Sequence, residues 1–339
     1  MEFGIFDHLD RNTLDLQTYY RERLKLIRLY DEAGFYAYHL AEHHGTPLGM
    51  APSPGIFLSA VAQNTKRLRF GPMVYQLPLY HPIRLIEEIC MLDQLSGGRL
   101  EIGFGRGASP IELEVYGEDP AQAQAAYTEG LELILKGLTE KSLSYAGDIH
   151  RFDNVPMELE PLQKPHPPVW YGVHSPEGAE TAARRKLCAI SLDDARTTRI
   201  STDRYREVWQ AAHGSVPLPK FGIGRFIVVA DTDASALALA RRAYPMWSRS
   251  FTHFERTHGW AARHPRPRDF DTLAEIGQGI AGSPATVRAF LEDQLKTSGT
   301  NYVVGQFAFG DLTPHECETS VRLFADNVMP TLRKTFTDV

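Results

Sequence analysis

The chain has 339 residues, 43% hydrophobic and 23% charged, enough for a large core in one large or two ordinary domains. Its net charge of −6 comes from well-mixed acids and bases with no basic run or aromatic-basic face, which excludes the usual nucleic-acid and anionic-membrane binders. Cys90, Cys188 and Cys317 lie too far apart for a disulfide framework or a zinc spacing, no apolar run approaches the roughly 20 residues that span a bilayer, and the opening MEFGIFDHLD is a strand rather than a leader, so a cytoplasmic protein is expected.

Residues 3–6 form a short apolar strand, and the periodic stretch 17–33 stops at Gly34 as a helix. A second strand, 35–40, leads into Ala41-Glu42-His43-His44, and a helix follows over 54–63. The third strand is 68–75. Pro82 suits the first turn of a helix whose buried stripe includes Ile83, Ile86, Ile89 and Leu95, and Ser96-Gly97-Gly98 supplies its stop. Residues 100–104 are the fourth strand, followed by Gly105-Arg106-Gly107, where the glycines let the backbone approach something bulky. A helix spans 122–138. Residues 139–167, rich in Pro, Asp and Asn, break the rhythm as a surface excursion or small hairpin.

The fifth strand, 168–173, runs into Ser175-Pro176-Glu177, a helix start with Ser as N-cap and Pro at the first position. Strand 188–192 with helix 202–213, and strand 221–230 with helix 234–244, are the next two units. Residues 245–275 carry Trp247, Phe251, Phe254 and Trp260 without clean periodicity, which suits an inserted lid or filler at a rim. Gly282-Ser283-Pro284 opens a helix, 302–309 is the eighth strand, and 314–335 closes the chain helically. Eight strand–helix repeats without an antiparallel run predict a (β/α)8 TIM barrel, one domain over 1–339, with an excursion after the fourth helix and a lid-like insert after the seventh strand.

A barrel builds its site at the carboxyl ends of its strands, so the residues that follow each strand matter most. Here they are Asp7-His8, Glu42-His43-His44, Gln76, Arg106 and His174-Ser175. A metal site would need His8, His43, His44 and His174 to converge, but no H-x-H follows the first strand and no H-E-x-x-H lies on a helix. Arg106 is either an ordinary ion-pair partner or, with the helix start at Ser175, a cation and backbone donors facing one phosphate. No dinucleotide or P-loop glycine pattern is present, and a phosphate-tailed flavin fits better.

Ala41-Glu42-His43-His44, Leu77-Pro78 to His81-Pro82, Met91-Leu92-Asp93-Gln94-Leu95-Ser96-Gly97-Gly98-Arg99 and Gly105-Arg106-Gly107 together resemble the bacterial luciferase-like flavin monooxygenases, nearly end to end. The resemblance implies a barrel, usually dimeric, that takes reduced FMN from a separate flavin reductase, reacts it with O2 and oxygenates an organic substrate through a flavin hydroperoxide. By the same resemblance Arg106 matches the phosphate-binding arginine and Ser175 its partner, with His174 alongside. His43 matches the proton-handling histidine, with Glu42 beside it in the catalytic set; Glu112 matches an acidic position near the flavin; and Met73-Val74 lies where many members carry a non-proline cis peptide against the ring. Gly105 stands where the luciferase catalytic subunit has cysteine, and His174 replaces an acidic residue.

Leu48, Met50, Tyr75, Leu79 and the aromatic segment after Trp247 suggest an apolar mouth and an apolar small-molecule substrate. The rival readings are a deazaflavin-dependent oxidoreductase on the same barrel, a non-catalytic flavin-binding protein, and a metal hydrolase.

Overall fold

The computed structural model describes residues 1–260 and 265–336. Its elements are, in chain order, β1 (Glu2–Asp7), α1 (Leu16–Glu32), β2 (Ala37–Leu40), α2 (Pro54–Asn64), β3 (Arg69–Pro72), β4 (Tyr75–Gln76), α3 (Pro82–Ser96) and β5 (Ile102–Gly105). Two helices, α4 (Pro110–Val115) and α5 (Ala123–Gly137), and two short strands, β6 (Ser142–Ala146) and β7 (Arg151–Pro156), come next. The second half holds β8 (Val169–Gly172), α6 (Pro176–Arg184), β9 (Cys188–Ser191), α7 (Ala195–His213), β10 (Phe221–Val229), α8 (Asp233–Phe251), α9 (His253–His258), α10 (Phe270–Glu275), β11 (Gly279–Gly282), α11 (Pro284–Ser298), β12 (Tyr302–Gln306), α12 (Pro314–Asn327) and α13 (Met329–Thr335).

The strands are short because both of their faces are covered: β1, β2, β10 and β12 are buried along almost their whole length. Parallel ladders run β3-β2-β1-β12-β10-β9-β8-β5, and a single bridge between Phe70 and Leu100 brings β3 to β5 and closes the ring. This is the (β/α)8 barrel that the repeats predict. Alternation along each strand sorts side chains into two cores. Phe3 and Ile5 face the helices in the larger core, whereas Phe6, Met73, Trp170, Ile190, Tyr302 and Val304 fill the barrel. Glu101, 1% exposed, is held there by Arg69 Nε at 2.6 Å and by Trp170 Nε1 at 2.5 Å.

Several expectations are refined. The excursion after the 122–138 helix is an antiparallel hairpin, β6 with β7. Helix α7 begins at Ala195 rather than residue 202, because Asp194 caps it by accepting from the amides of Arg196 at 2.9 Å and Thr197 at 3.1 Å. Helix α8 does not stop at residue 244 but runs through Pro245 to Phe251, so the first quarter of the lid-like segment is barrel helix. Residues 261–264 of that segment lie outside the described residues. β11 has no counterpart in the sequence reading; it pairs with the second half of the nine-residue β10, Phe226–Val229.

Thr313 and Glu316 form a capping box at the start of α12, and Glu316 also takes two hydrogen bonds from Arg242, at 2.9 and 2.7 Å. Those Arg242 bonds are the main reason the Glu316 carboxyl drops from an ordinary 4.5 to about 2. A depressed carboxyl stabilises the fold above its unfolded pKa and loses that stabilisation as pH falls through the folded value. Melting temperature should therefore fall between about pH 4.5 and 2, and the slope in that window should be shallower for Glu316→Gln. Equal slopes in the two proteins would show that the pair contributes nothing to stability.

Candidate active site

Three segments converge at the carboxyl rim: the turn after β2, the end of β4, and the first turn of α4. Ser109 caps α4, accepting from Ile111 N at 3.2 Å, and Pro110 takes the first position, which fixes Glu112 in the opening turn. Glu112 Oε1 lies 3.0 Å from His43 Nδ1, and Gln76 Nε2 donates to Glu112 Oε2 at 2.6 Å. The same Gln76 nitrogen donates to the carbonyl of Glu42 at 2.9 Å, and the Gln76 amide donates to Glu42 Oε2 at 3.1 Å. Glu42 Oε1 meets His44 Nε2 at 2.7 Å, and His44 Nδ1 meets the Tyr116 hydroxyl at 2.9 Å.

An ionised Glu112 can only accept, so His43 donates from Nδ1, and Nε2 is left as the nitrogen for an external partner. The His43 side chain is 15% exposed and Glu112 2%. Glu42 is 3% exposed with both carboxylate oxygens engaged, which places it behind His43 rather than in the mouth. Burial pushes its carboxyl above the ordinary carboxylate range, opposed by the bond from His44.

His8 follows β1 and stacks beside His43, with ring centroids 5.7 Å apart and planes 18° apart. Its Nδ1 lies 3.0 Å from Gln306 Oε1. Burial first, and the His43 charge second, hold His8 well below an ordinary 6.5, so it stays neutral. Trp247, from the part of α8 beyond Pro245, packs edge-on against His8 at 5.5 Å, and its buried indole nitrogen has no partner among the described residues. Asp7 turns away from the mouth: Arg23 Nη1 pairs with it at 3.0 Å and the Tyr38 hydroxyl donates to it at 2.9 Å, making it a strut of the first strand.

Arg106 leaves the end of β5, half-buried. Its guanidinium donates to Gln124 Oε1 at 3.2 Å and makes no ion pair among the described residues. Ser175 leaves the end of β8, which pairs with β5, so both residues sit on one stretch of rim. The Ser175 side chain accepts from Gly178 N at 3.2 Å as the cap of α6. His174, just before it, has its Nδ1 3.5 Å from Asp193 Oδ2.

The Met73–Val74 peptide is cis, the conformation that the resemblance implies. It also accounts for one feature of the glycine run: the bulky neighbour of Gly105 is Val74, whose Cγ2 would lie 2.4 Å from any added Cβ. Gly107 needs its own freedom, with φ of 93° and Gln76 Oε1 2.8 Å from a would-be Cβ. Gly107→Ala should cost about 1–2 kcal/mol of stability, from the left-handed backbone alone, and this is measurable by denaturant unfolding.

Some expected residues do not line the mouth. Leu48, Met50 and Tyr75 pack in or against the main core, and the Tyr75 hydroxyl donates to Glu88 on α3 at 2.8 Å. Of the four rim histidines only His8 and His43 stack together, while His43, His44 and His174 each face a different carboxylate. Two residues absent from the sequence reading do reach the rim. Arg225 on β10 is fully buried, and Arg266, just before α10, donates to Leu192 O at 3.0 Å. A charged residue inside an all-apolar strand was the available signal for Arg225; Arg266 lies in an aperiodic segment that offers none.

A closed ring of parallel strands with a histidine–carboxylate pair and, on its carboxyl rim, an arginine without an ion pair among the described residues is the architecture of a (β/α)8 enzyme. Residues 1–302 match the model of the luciferase-like monooxygenases. The chain belongs to that family of monooxygenases. It is 42% identical over 313 residues to the uncharacterized protein y4wF of Sinorhizobium fredii, covering 92% of each chain. It is 34% identical over 189 residues to the oxygenase component of a flavin-dependent trigonelline monooxygenase of Acinetobacter baylyi, covering 54% of this chain and 52% of that one. Among solved structures, monooxygenase RslO1 of Streptomyces bottropensis superposes with a TM-score of 0.89 at 26% identity, covering 98% of this chain and 100% of that one. The FMN complex of a 3,6-diketocamphane monooxygenase constituent from Pseudomonas putida shares the fold, with a TM-score of 0.77 at 21% identity and 97% and 98% coverage.

Proposed function

We propose that the chain is the oxygenase component of a two-component, FMN-dependent system, in which a separate flavin reductase supplies reduced FMN and the barrel oxygenates a small organic substrate. When bound, reduced FMN supplies the electrons with which O2 delivers one oxygen atom to substrate and the other to water. The residues present suit such a group. Arg106 and the helix start at Ser175 offer a phosphate one unpaired guanidinium and a cap, while the backbone around Met73 and Val74 offers the ring a wall.

The observation that carries the reading is the His43–Glu112 pair: a mouth-facing imidazole whose Nδ1 is tied to a buried carboxylate, leaving Nε2 to hold or move a proton. Glu112, Gln76 and Glu42 are positioning residues that orient it. His8, Trp247 and the buried ring around them exclude water. The protein is further proposed to act in the cytoplasm as a homodimer; no helix among the described residues is long and apolar enough to cross a membrane.

The experiment is to mix the protein with O2 and either reduced FMN or reduced deazaflavin, with and without candidate substrates, and to follow oxygen consumption and 18O in product. Substrate-dependent oxygen uptake with FMN, and label in the product, is the expected result. Turnover of deazaflavin without oxygen uptake would instead establish hydride transfer, and tight FMN binding without any turnover a flavin carrier.

A further inference from the structure

Two cations near the carboxyl ends of β9 and β10 are used by no part of the proposed flavin anchoring. Arg225 donates to Gln294 Oε1 at 2.9 and 2.7 Å, to Asp193 O at 3.0 Å and to Gly224 O at 2.6 Å. Arg266 uses one nitrogen, Nη1, for both Leu192 O and Gln278 Oε1. Every one of these acceptors is a neutral oxygen. Two acids lie nearby: the Asp193 carboxylate, 3.5 Å from His174, favours both cations through space, and Asp194, which caps α7 and accepts from Thr197 Oγ1 at 2.6 Å, favours Arg225. Burial is the main cause that brings Arg225 down to about 9, with the Arg266 charge second, and burial is the main cause that lowers Arg266. Arg225 is buried and Arg266 half-buried, and a cation so withdrawn from water gains from a directly paired anion.

Arg225 is saturated, but Arg266 is not. Its Nε and Nη2 have no acceptor among the described residues, and a guanidinium edge of that shape matches a carboxylate. Its place is set by Tyr244, whose hydroxyl donates to Pro267 O at 3.0 Å and whose ring stacks on Trp247 at 5.4 Å. Trp247 in turn touches His8, which stacks on His43, and the Arg266 charge is felt at His8. A second unmatched donor, the buried Trp247 indole N–H, lies in the same wall. Anion-binding capacity and the proton-handling imidazole are thus joined through three ring contacts, Tyr244–Trp247, Trp247–His8 and His8–His43.

We propose that Arg266 binds a carboxylate carried by the organic substrate, with the substrate's reacting carbon toward His43. The substrate class is therefore a small amphipathic carboxylic acid rather than a wholly apolar molecule. This rests on the mouth being the catalytic site, and it treats Arg106 and Arg266 as two separate anion sites, one for the flavin phosphate and one for substrate.

Benzoate and its neutral isostere benzamide serve as probes, titrated calorimetrically into the full-length protein without flavin. Benzoate should bind at least tenfold more tightly than benzamide, both in the unsubstituted protein and in Arg106→Ala. In Arg266→Gln the preference should vanish while FMN affinity stays within twofold; Arg266→Lys, which keeps the charge but not the fork, should retain part of it. Equal binding of the two probes to the unsubstituted protein overturns the proposal, and that comparison needs no variant to fold. So does a preference that survives Arg266→Gln. So does a tenfold loss of FMN affinity in Arg266→Gln with benzoate unaffected, which would assign Arg266 to the flavin phosphate. Because the probes are read without flavin, absence of FMN-dependent oxygen uptake would count against the monooxygenase mechanism alone.

Discussion

Replacing His43 with Ala should leave FMN affinity within twofold while the rate of substrate-coupled oxygenation falls by roughly 10²–10⁴-fold, the usual worth of a positioned acid–base group. The loss should be that large because nothing nearby can substitute. His8 stacks on His43, but its Nδ1 is committed to Gln306, it has no carboxylate partner, and burial disfavours the protonated ring, so it is poorly suited to deliver a proton in the step. Oxygen consumed without product should appear as hydrogen peroxide. Added imidazole should restore part of the coupling, since the substitution leaves a cavity beside Glu112; a protein merely misfolded would not respond. Glu112→Gln keeps the shape of the pair and removes the anion that selects the Nδ1–H tautomer, so coupling should fall by about tenfold with FMN affinity again unchanged. If His43→Ala forms coupled product at the normal rate with saturating flavin, the imidazole has no part in the chemistry.

The barrel strands were legible because each is a short apolar run closed by a polar or glycine signal, and because caps such as Ser175-Pro176 state where helices begin. β11 was not, since Gly279-Ile280-Ala281-Gly282 has neither β-branched density nor alternation; its pairing with β10 is a tertiary fact. The end of α8 was not legible either, since the segment from residue 245 lacks clean periodicity. Proline costs a helix one backbone bond, but α8 continues because Trp247 and its aromatic neighbours bury the turn beyond it. The rim itself could be read residue by residue, from His43 to Ser175. What could not be read was the wiring: that Gln76 joins Glu112 to Glu42, or that Arg266 crosses back to Leu192 from a segment with no period. Such links depend on which loops meet in space, and spacing along the chain carries no record of that.

Arg106→Ala should weaken FMN binding by roughly 1.5–3 kcal/mol, the scale of a charge-assisted hydrogen bond, which corresponds to about 10- to 150-fold in Kd. The full value is expected because the guanidinium has no carboxylate to fall back on: its partner is the neutral Gln124, at 3.2 Å, and breaking that bond for a phosphate costs little. The cap at Ser175 contributes differently. Its oxygen already accepts from Gly178 N, Pro176 has no N–H to offer, and the exposed Glu177 carboxylate draws hydrogen bonds from the Ser175 side chain and from its own amide. A phosphate arriving there competes with Glu177 for those donors and meets its negative charge. Glu177→Gln should therefore tighten FMN binding by a few-fold, more at low salt than at high, while Arg106→Ala loosens it at any salt. Quenching of flavin fluorescence in a titration of each variant measures both. An Arg106→Ala protein with unchanged affinity would remove the phosphate from this rim, and the Glu177 effect would have to vanish with it, since the two rest on one bound group.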